Sequence, residues 1–97
     1  MKTSTIMKRL GAFEKVSNME SSNGNDIANQ FVIQFEKGRV FQSYQSIIAV
    51  VQEGKVFLGE DWDYSRTTSK YRNAFLGTTT KELEKGIKEG SIKILNK

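Results

Sequence analysis

The sequence predicts an α+β fold in two layers. The expected parts are an antiparallel β-meander of four to five strands, a short N-terminal helix and two C-terminal helices packed on one face, and a final edge strand. Three observations carry this. Phe31, Ile33 and Phe35 alternate with Val32, Gln34 and Glu36, the period-two pattern of a half-buried strand. Ile47 to Val51 is a continuous apolar run rich in β-branched residues, too short for a buried helix and suited to a central strand. Beyond Arg66 the period lengthens, with Tyr71, Ala74 and Phe75 on one helical face and Gly77 just past its end.

Taken in order, residues 4–10 predict a short helix closed by Gly11. Ile6, Leu10, Phe13 and Val16 have helical spacing, which would extend that helix through residues 12–19. Those residues read better as a strand, because the following Ser21 to Asp26 stretch is a strong turn signal. Asn23-Gly24 suits a tight hairpin turn with two left-handed residues. The strand over 31–36 turns at Lys37-Gly38 and returns as Arg39–Tyr44. Gln45-Ser46 connects it to the apolar run, and Glu53-Gly54 leads back through Val56 to Leu58. Thr67 or Thr68 is the expected cap of the first late helix. Thr79 with Glu82 has the spacing of a capping box for the second, and Gly90 is its stop. Ser91 to Leu95 is expected at the sheet edge. The 97 residues suit one compact domain with its core in 27–97 and a peripheral arm or hairpin in 1–26.

Composition excludes several functions. There is no cysteine and no histidine, so disulfides, thiolate metal sites and histidine-based nucleophile pairs are absent. The start of the chain has no apolar core of a secretory signal, and no apolar run approaches the ~20 residues needed to span a bilayer. The expectation is a cytoplasmic, host-cell protein without cofactor or metal. Net charge is +4 and unevenly spread. Residues 66–97 hold eight bases against three acids, whereas residues 31–65 hold three bases against five acids. That asymmetry suggests a polyanionic or acidic partner, although a lysine-rich solvated helix looks the same.

The densest cluster of chemistry is Asp61 to Tyr71, with the only tryptophan, two tyrosines, two acids and two bases in eleven residues. Aromatic residues interleaved with bases (Phe41, Tyr44, Trp62, Tyr64 and Tyr71 with Arg39, Arg66, Lys70 and Arg72) can grip single-stranded nucleic acid by stacking. The plainer and favoured reading is that Trp62 and Tyr71 fill the sheet–helix junction. Glu60, Asp61 and Asp63 are too few and too closely spaced for a calcium loop, and nothing places them with Glu53 as a hydrolytic carboxylate pair. Thr67-Thr68-Ser69 with Lys70 and Arg72 could hold phosphate at a helix start, and the same hydroxyls are ordinary caps. Lys81, Lys85 and Lys88 share one helical face; Glu84 has the spacing to pair with Lys88, while Glu82 and Glu89 dilute the stripe. The candidate binding surface is therefore Arg39, Tyr44, Trp62, Tyr64, Arg66, Lys70, Tyr71, Arg72, Lys81, Lys85 and Lys88, with no catalytic residue.

Phe41-Gln-Ser-Tyr44-x-Ser46-x-Ile48-Ala49, followed by Trp62-Asp-Tyr64-Ser65-x-Thr67-Thr68-x-Lys70-Tyr71 and Phe75-Leu76-Gly77, resembles a family of small phage and mobile-element proteins of Gram-positive bacteria. The resemblance spans residues 31–97 and leaves 1–30 outside it. That family has no assigned activity, so it implies context only: an accessory protein that acts by binding. The expected function is a non-enzymatic inhibitor of a host macromolecule, in a counter-defence or anti-CRISPR-like role. Its expected partner is a host protein or nucleoprotein complex. The alternative is a nucleic-acid-binding regulator, and lesser readings are a carboxylate hydrolase and a virion component. No membrane partner is expected, and a homodimer is compatible with the modest core.

Overall fold

A computed structural model describes residues 1–96. The elements are α1 (Thr3–Arg9), β1 (Phe13–Glu20), β2 (Asp26–Phe35), β3 (Gly38–Ser43), β4 (Ser46–Gln52), β5 (Lys55–Leu58), α2 (Arg66–Leu76), α3 (Thr80–Glu89) and β6 (Lys93–Ile94). They form an α+β fold around one open six-stranded sheet whose strand order follows the chain. Neighbours from β1 to β5 are antiparallel, each closed by a short turn. β6 runs parallel to β5, because the α2–α3 crossover returns the chain to its starting end.

The two late helices share one face of the sheet, as expected, and α1 covers the other, so the expected two layers become three. α1 buries Ile6 and Leu10 against Val40, Val50 and Phe57. The late helices bury Phe75 and Leu83 against Phe41, Ala49 and Leu58. Adjacent strand residues such as Val40 and Phe41, or Phe57 and Leu58, point to opposite faces and are all fully or nearly fully buried. Strands apolar on both faces need cover on both. α1 supplies it on one side and α2 with α3 on the other, which makes three layers over the sheet centre. Residues 1–26 thus comprise a core helix and the outer strand of the β1–β2 hairpin.

Several boundaries differ from the expected ones. The β1–β2 turn has only Gly24 in the left-handed region (φ 81°), not the Asn23-Gly24 pair. Gly24 N–H donates to the Ser21 carbonyl (2.9 Å) and Ser21 N–H to that of Asn25 (2.8 Å), a three-residue loop with a left-handed glycine. β3 ends at Ser43, and Tyr44-Gln45 forms the next turn. α2 is capped by Ser65, whose Oγ accepts from Thr68 N–H, rather than by Thr67 or Thr68. Thr79 caps α3 by accepting from Glu82 N–H. The Glu82 carboxylate accepts from Thr78 Oγ1 (2.9 Å), so the capping box is only half made.

Three glycines allow a close approach, Gly38 to the backbone carbonyl of Val51 among them. Gly86 lets α3 sit on Ile92, whose Cδ1 would lie 2.5 Å from an added Cβ. At Gly59 an added Cβ would collide with the backbone carbonyl of Ile47. Backbone yields less readily than a side-chain tip. Gly59→Ala is therefore expected to cost about 2–4 kcal/mol, read as a lower urea midpoint with an unchanged slope.

Candidate functional site

The Asp61–Tyr71 cluster is organised by a residue just beyond it. Arg72 is fully buried (0% exposed) on the inner face of α2. Thr68 and Phe75 lie four residues before and three after it, and both are buried too. A guanidinium has five N–H donors, and each finds an acceptor. Nε and Nη2 donate to Asn73 Oδ1 (3.1 and 2.9 Å), and Nη2 also to Thr80 Oγ1 (2.7 Å). Nη1 donates to the Trp62 carbonyl and to Ser69 Oγ (3.2 Å). The Trp62 ring covers the guanidinium, with Cζ 5.0 Å from the ring centroid.

These acceptors are neutral. Burial therefore pushes the Arg72 pKa below its ordinary value, while the charges of Asp63 and Glu84 oppose that shift. Arginine stays charged through the physiological range regardless. Arg72 consequently ties three segments together: the loop at Trp62, α2 through Ser69 and Asn73, and the start of α3 through Thr80. The hydrogen bond from Asn73 Nδ2 to Thr80 Oγ1 (3.1 Å) reinforces that joint.

This corrects the sequence reading at several residues. Arg72 is removed from the binding surface and becomes a structural cation. Ser69 and Thr68 do not frame a phosphate site: Ser69 accepts from Arg72, and Thr68 Oγ1 lies 3.0 Å from Ser43 Oγ in a buried contact. Trp62 and Tyr71 are half-buried in the core beneath the late helices, as the plainer reading holds. Phe41 is buried and stacked on Phe75, with centroids 5.8 Å apart. Asp61 accepts from Ser46 Oγ (3.1 Å).

The remaining candidates are exposed. Arg66 and Lys70 lie one turn apart on the outer side of α2. Lys81, Lys85 and Lys88 form a ridge on α3 directly opposite its buried Leu83 and Gly86. Arg39 lays its guanidinium over Phe75, 4.9 Å from the ring centroid, at the margin of the same layer. Tyr44 and Tyr64 stand apart at the end of the sheet, 58% and 51% exposed. Tyr64 OH is 3.3 Å from Ser43 Oγ, which anchors its tip. Tyr44 has φ +54°, unusual for a bulky residue, and its N–H is held by the Asn29 carbonyl at 2.7 Å. The structure therefore divides the candidate surface into a cationic helical face and a two-tyrosine sheet end.

Sequence reading missed the partners Asn73 and Thr80, and it missed Gln30. Gln30 is buried opposite Ser43 with no hydrogen-bond partner for Oε1. The burial of Arg72 was signalled by its place on the 68–71–75 stripe. Nothing local marked Thr80 as an acceptor.

Among the described residues, no group of three or more His, Cys, Asp or Glu could hold a metal ion, and no helix is long and apolar enough to cross a membrane. A family model described as "Family of unknown function (DUF8033)" matches residues 14–91. The chain belongs to that family. No curated protein and no solved structure matches it.

Arg72→Lys retains the charge and removes the planar fork, leaving acceptors unpaired in the core. A loss of about 2–4 kcal/mol in unfolding free energy is expected. Equal stability of the variant in urea would show that the hydrogen-bond geometry is dispensable.

Proposed function

We propose that the protein is a non-enzymatic phage or mobile-element accessory protein that binds and inhibits a host macromolecule, with a host protein as its partner. The observation that carries this reading is the cationic outer face of α2 and α3, formed by Arg66, Lys70, Lys81, Lys85 and Lys88. The mobile-element origin rests on the sequence resemblance alone. Charge pattern favours protein over nucleic acid. Glu82, Glu84 and Glu89 interleave with the three lysines of α3, and phosphate backbones reward uninterrupted positive charge. Mixed charge suits a protein surface, where complementary pairs fix register and raise the association rate.

A nucleic-acid-binding regulator is the second reading. It is favoured by the exposure of Tyr44 and Tyr64, two rings available for base stacking, with Arg66 two residues beyond Tyr64 in sequence. Glu60, Asp61 and Asp63 in the adjoining loop weigh against it. In the first reading, inhibition would follow from occlusion of the partner's own binding surface.

Affinity capture from a bacterial host lysate is expected to recover one stoichiometric protein. The triple substitution Lys81→Glu, Lys85→Glu, Lys88→Glu should abolish that recovery. Exposed-surface changes of this kind typically shift stability by under about 0.5 kcal/mol each, so the variant should remain folded. Recovery of the same protein by the variant would exclude the α3 ridge. A gel shift on short DNA or RNA that weakens steeply between about 50 and 200 mM salt would move the assignment to the regulator.

A further inference from the structure

The two edges of the sheet are unlike. At one edge β6 has only two strand residues, and the chain start closes over it. Lys2 bridges to Asn96, and Thr3 N–H donates to the Asn96 carbonyl (2.6 Å). At the other edge β1 offers eight residues, mostly exposed, with β2 on one side alone. It carries Phe13 and Val16 at 59% and 54% exposure. Both stand on the α1 side of the sheet, paired with Phe35 and Ile33, which pack against the core there. The Phe13 and Phe35 rings meet edge to face at 6.0 Å. A long edge with free backbone groups and apolar side chains is a template for another strand.

We propose that the occupant of this edge is a second copy of the chain, joined β1 to β1 in antiparallel fashion about a two-fold axis through Val16. Three features select this occupant and this register. An isologous pair uses the open edge of both copies and leaves only the closed β6 edges outward, so assembly stops at two. The two-fold keeps both α1 faces on the same side, so Val16 meets the second copy's Val16 beside Ile33 of each copy and extends the apolar surface of the sheet. Charge decides between registers. With Val16 at the axis, Lys15 faces Ser17 and Glu14 faces Asn18, and no like charges are opposed. Moving the axis to Lys15 opposes two lysines, and moving it to Ser17 sets Glu14 against Glu20, both destabilising.

Irregularities between Phe13 and Lys15 and between Asn18 and Glu20 confine regular pairing to the strand centre. The dimer is accordingly weak and concentration-dependent.

Sedimentation equilibrium on the full chain, up to about 1 mM, where an association worth ~4 kcal/mol is half populated, is expected to show mass rising from 11.0 kDa towards twice that value. Val16→Lys and Val16→Glu should each stay monomeric over the range in which the natural sequence dimerises. Their equimolar mixture should dimerise again, because the axis sets residue 16 against itself. Amide exchange at Val16 and Asn18, whose N–H groups face the open edge while those of Lys15 and Ser17 face β2, should slow as the natural protein is concentrated, a readout independent of any variant. Monomeric natural protein at ~1 mM, unaltered dimerisation of the single variants, a monomeric mixture, or exchange at these amides indifferent to concentration would each overturn the proposal.

Discussion

The buried guanidinium of Arg72 is the constraint on which the helical half of the molecule depends. A charge removed from water without hydrogen bonds would be prohibitive. Here five bonds and one ring face replace the lost solvent. Those partners lie between Trp62 and Thr80, so the charge is satisfied only when the loop, α2 and the start of α3 hold one arrangement. Apolar contacts such as Phe41 on Phe75 tolerate small sliding between helix and sheet. A planar fork with fixed donors does not. The lysine ridge of α3 thereby inherits its position relative to Arg66 and Lys70 from Arg72.

The sheet accepts this superstructure because its central strands are apolar on both sides. α1 seals one face with Ile6 and Leu10, and the late helices seal the other. On the α1 side cover ends before β1, which leaves Phe13 and Val16 exposed on the outer strand. A small chain with a modest core has little apolar surface to spare. Uncovered phenylalanine and valine beside a free strand edge are therefore informative.

Much of the fold is legible in the sequence. Period-two alternation at Phe31–Glu36, the apolar run at Ile47–Val51 and the glycines after α2 and α3 each encode their element locally, and each element forms there, with β2 beginning five residues earlier than expected, at Asp26. The misplaced features depend on tertiary partners. Ser65 caps α2 because Thr68 is taken into the core by Ser43, a contact 25 residues away in sequence. β6 is short and parallel because two helices precede it and the chain start occupies its flank. Of the candidate surface, the exposed cations and the two exposed tyrosines could be named from sequence but not sorted into separate regions. The role of Arg72 was half legible. Its spacing from Thr68 and Phe75 pointed inward, yet its nearest acidic residues are too few to suggest burial, and its acceptors are neutral groups with no sequence signature.

The proposed binding through the outer helical face requires α2 and α3 to hold fixed positions, and Arg72 is what fixes them. The state of its guanidinium in solution is thus the most direct test. Nitrogen-15 NMR of selectively labelled arginine would compare Arg72 with exposed Arg39 and Arg66. Resolved Nη resonances and a slowly exchanging Nε–H for Arg72, against averaged, rapidly exchanging signals for the other two, are the expected result. A rapidly rotating, solvent-exchanging Arg72 indistinguishable from Arg66 would contradict the buried five-bond node and leave α3 without its anchor.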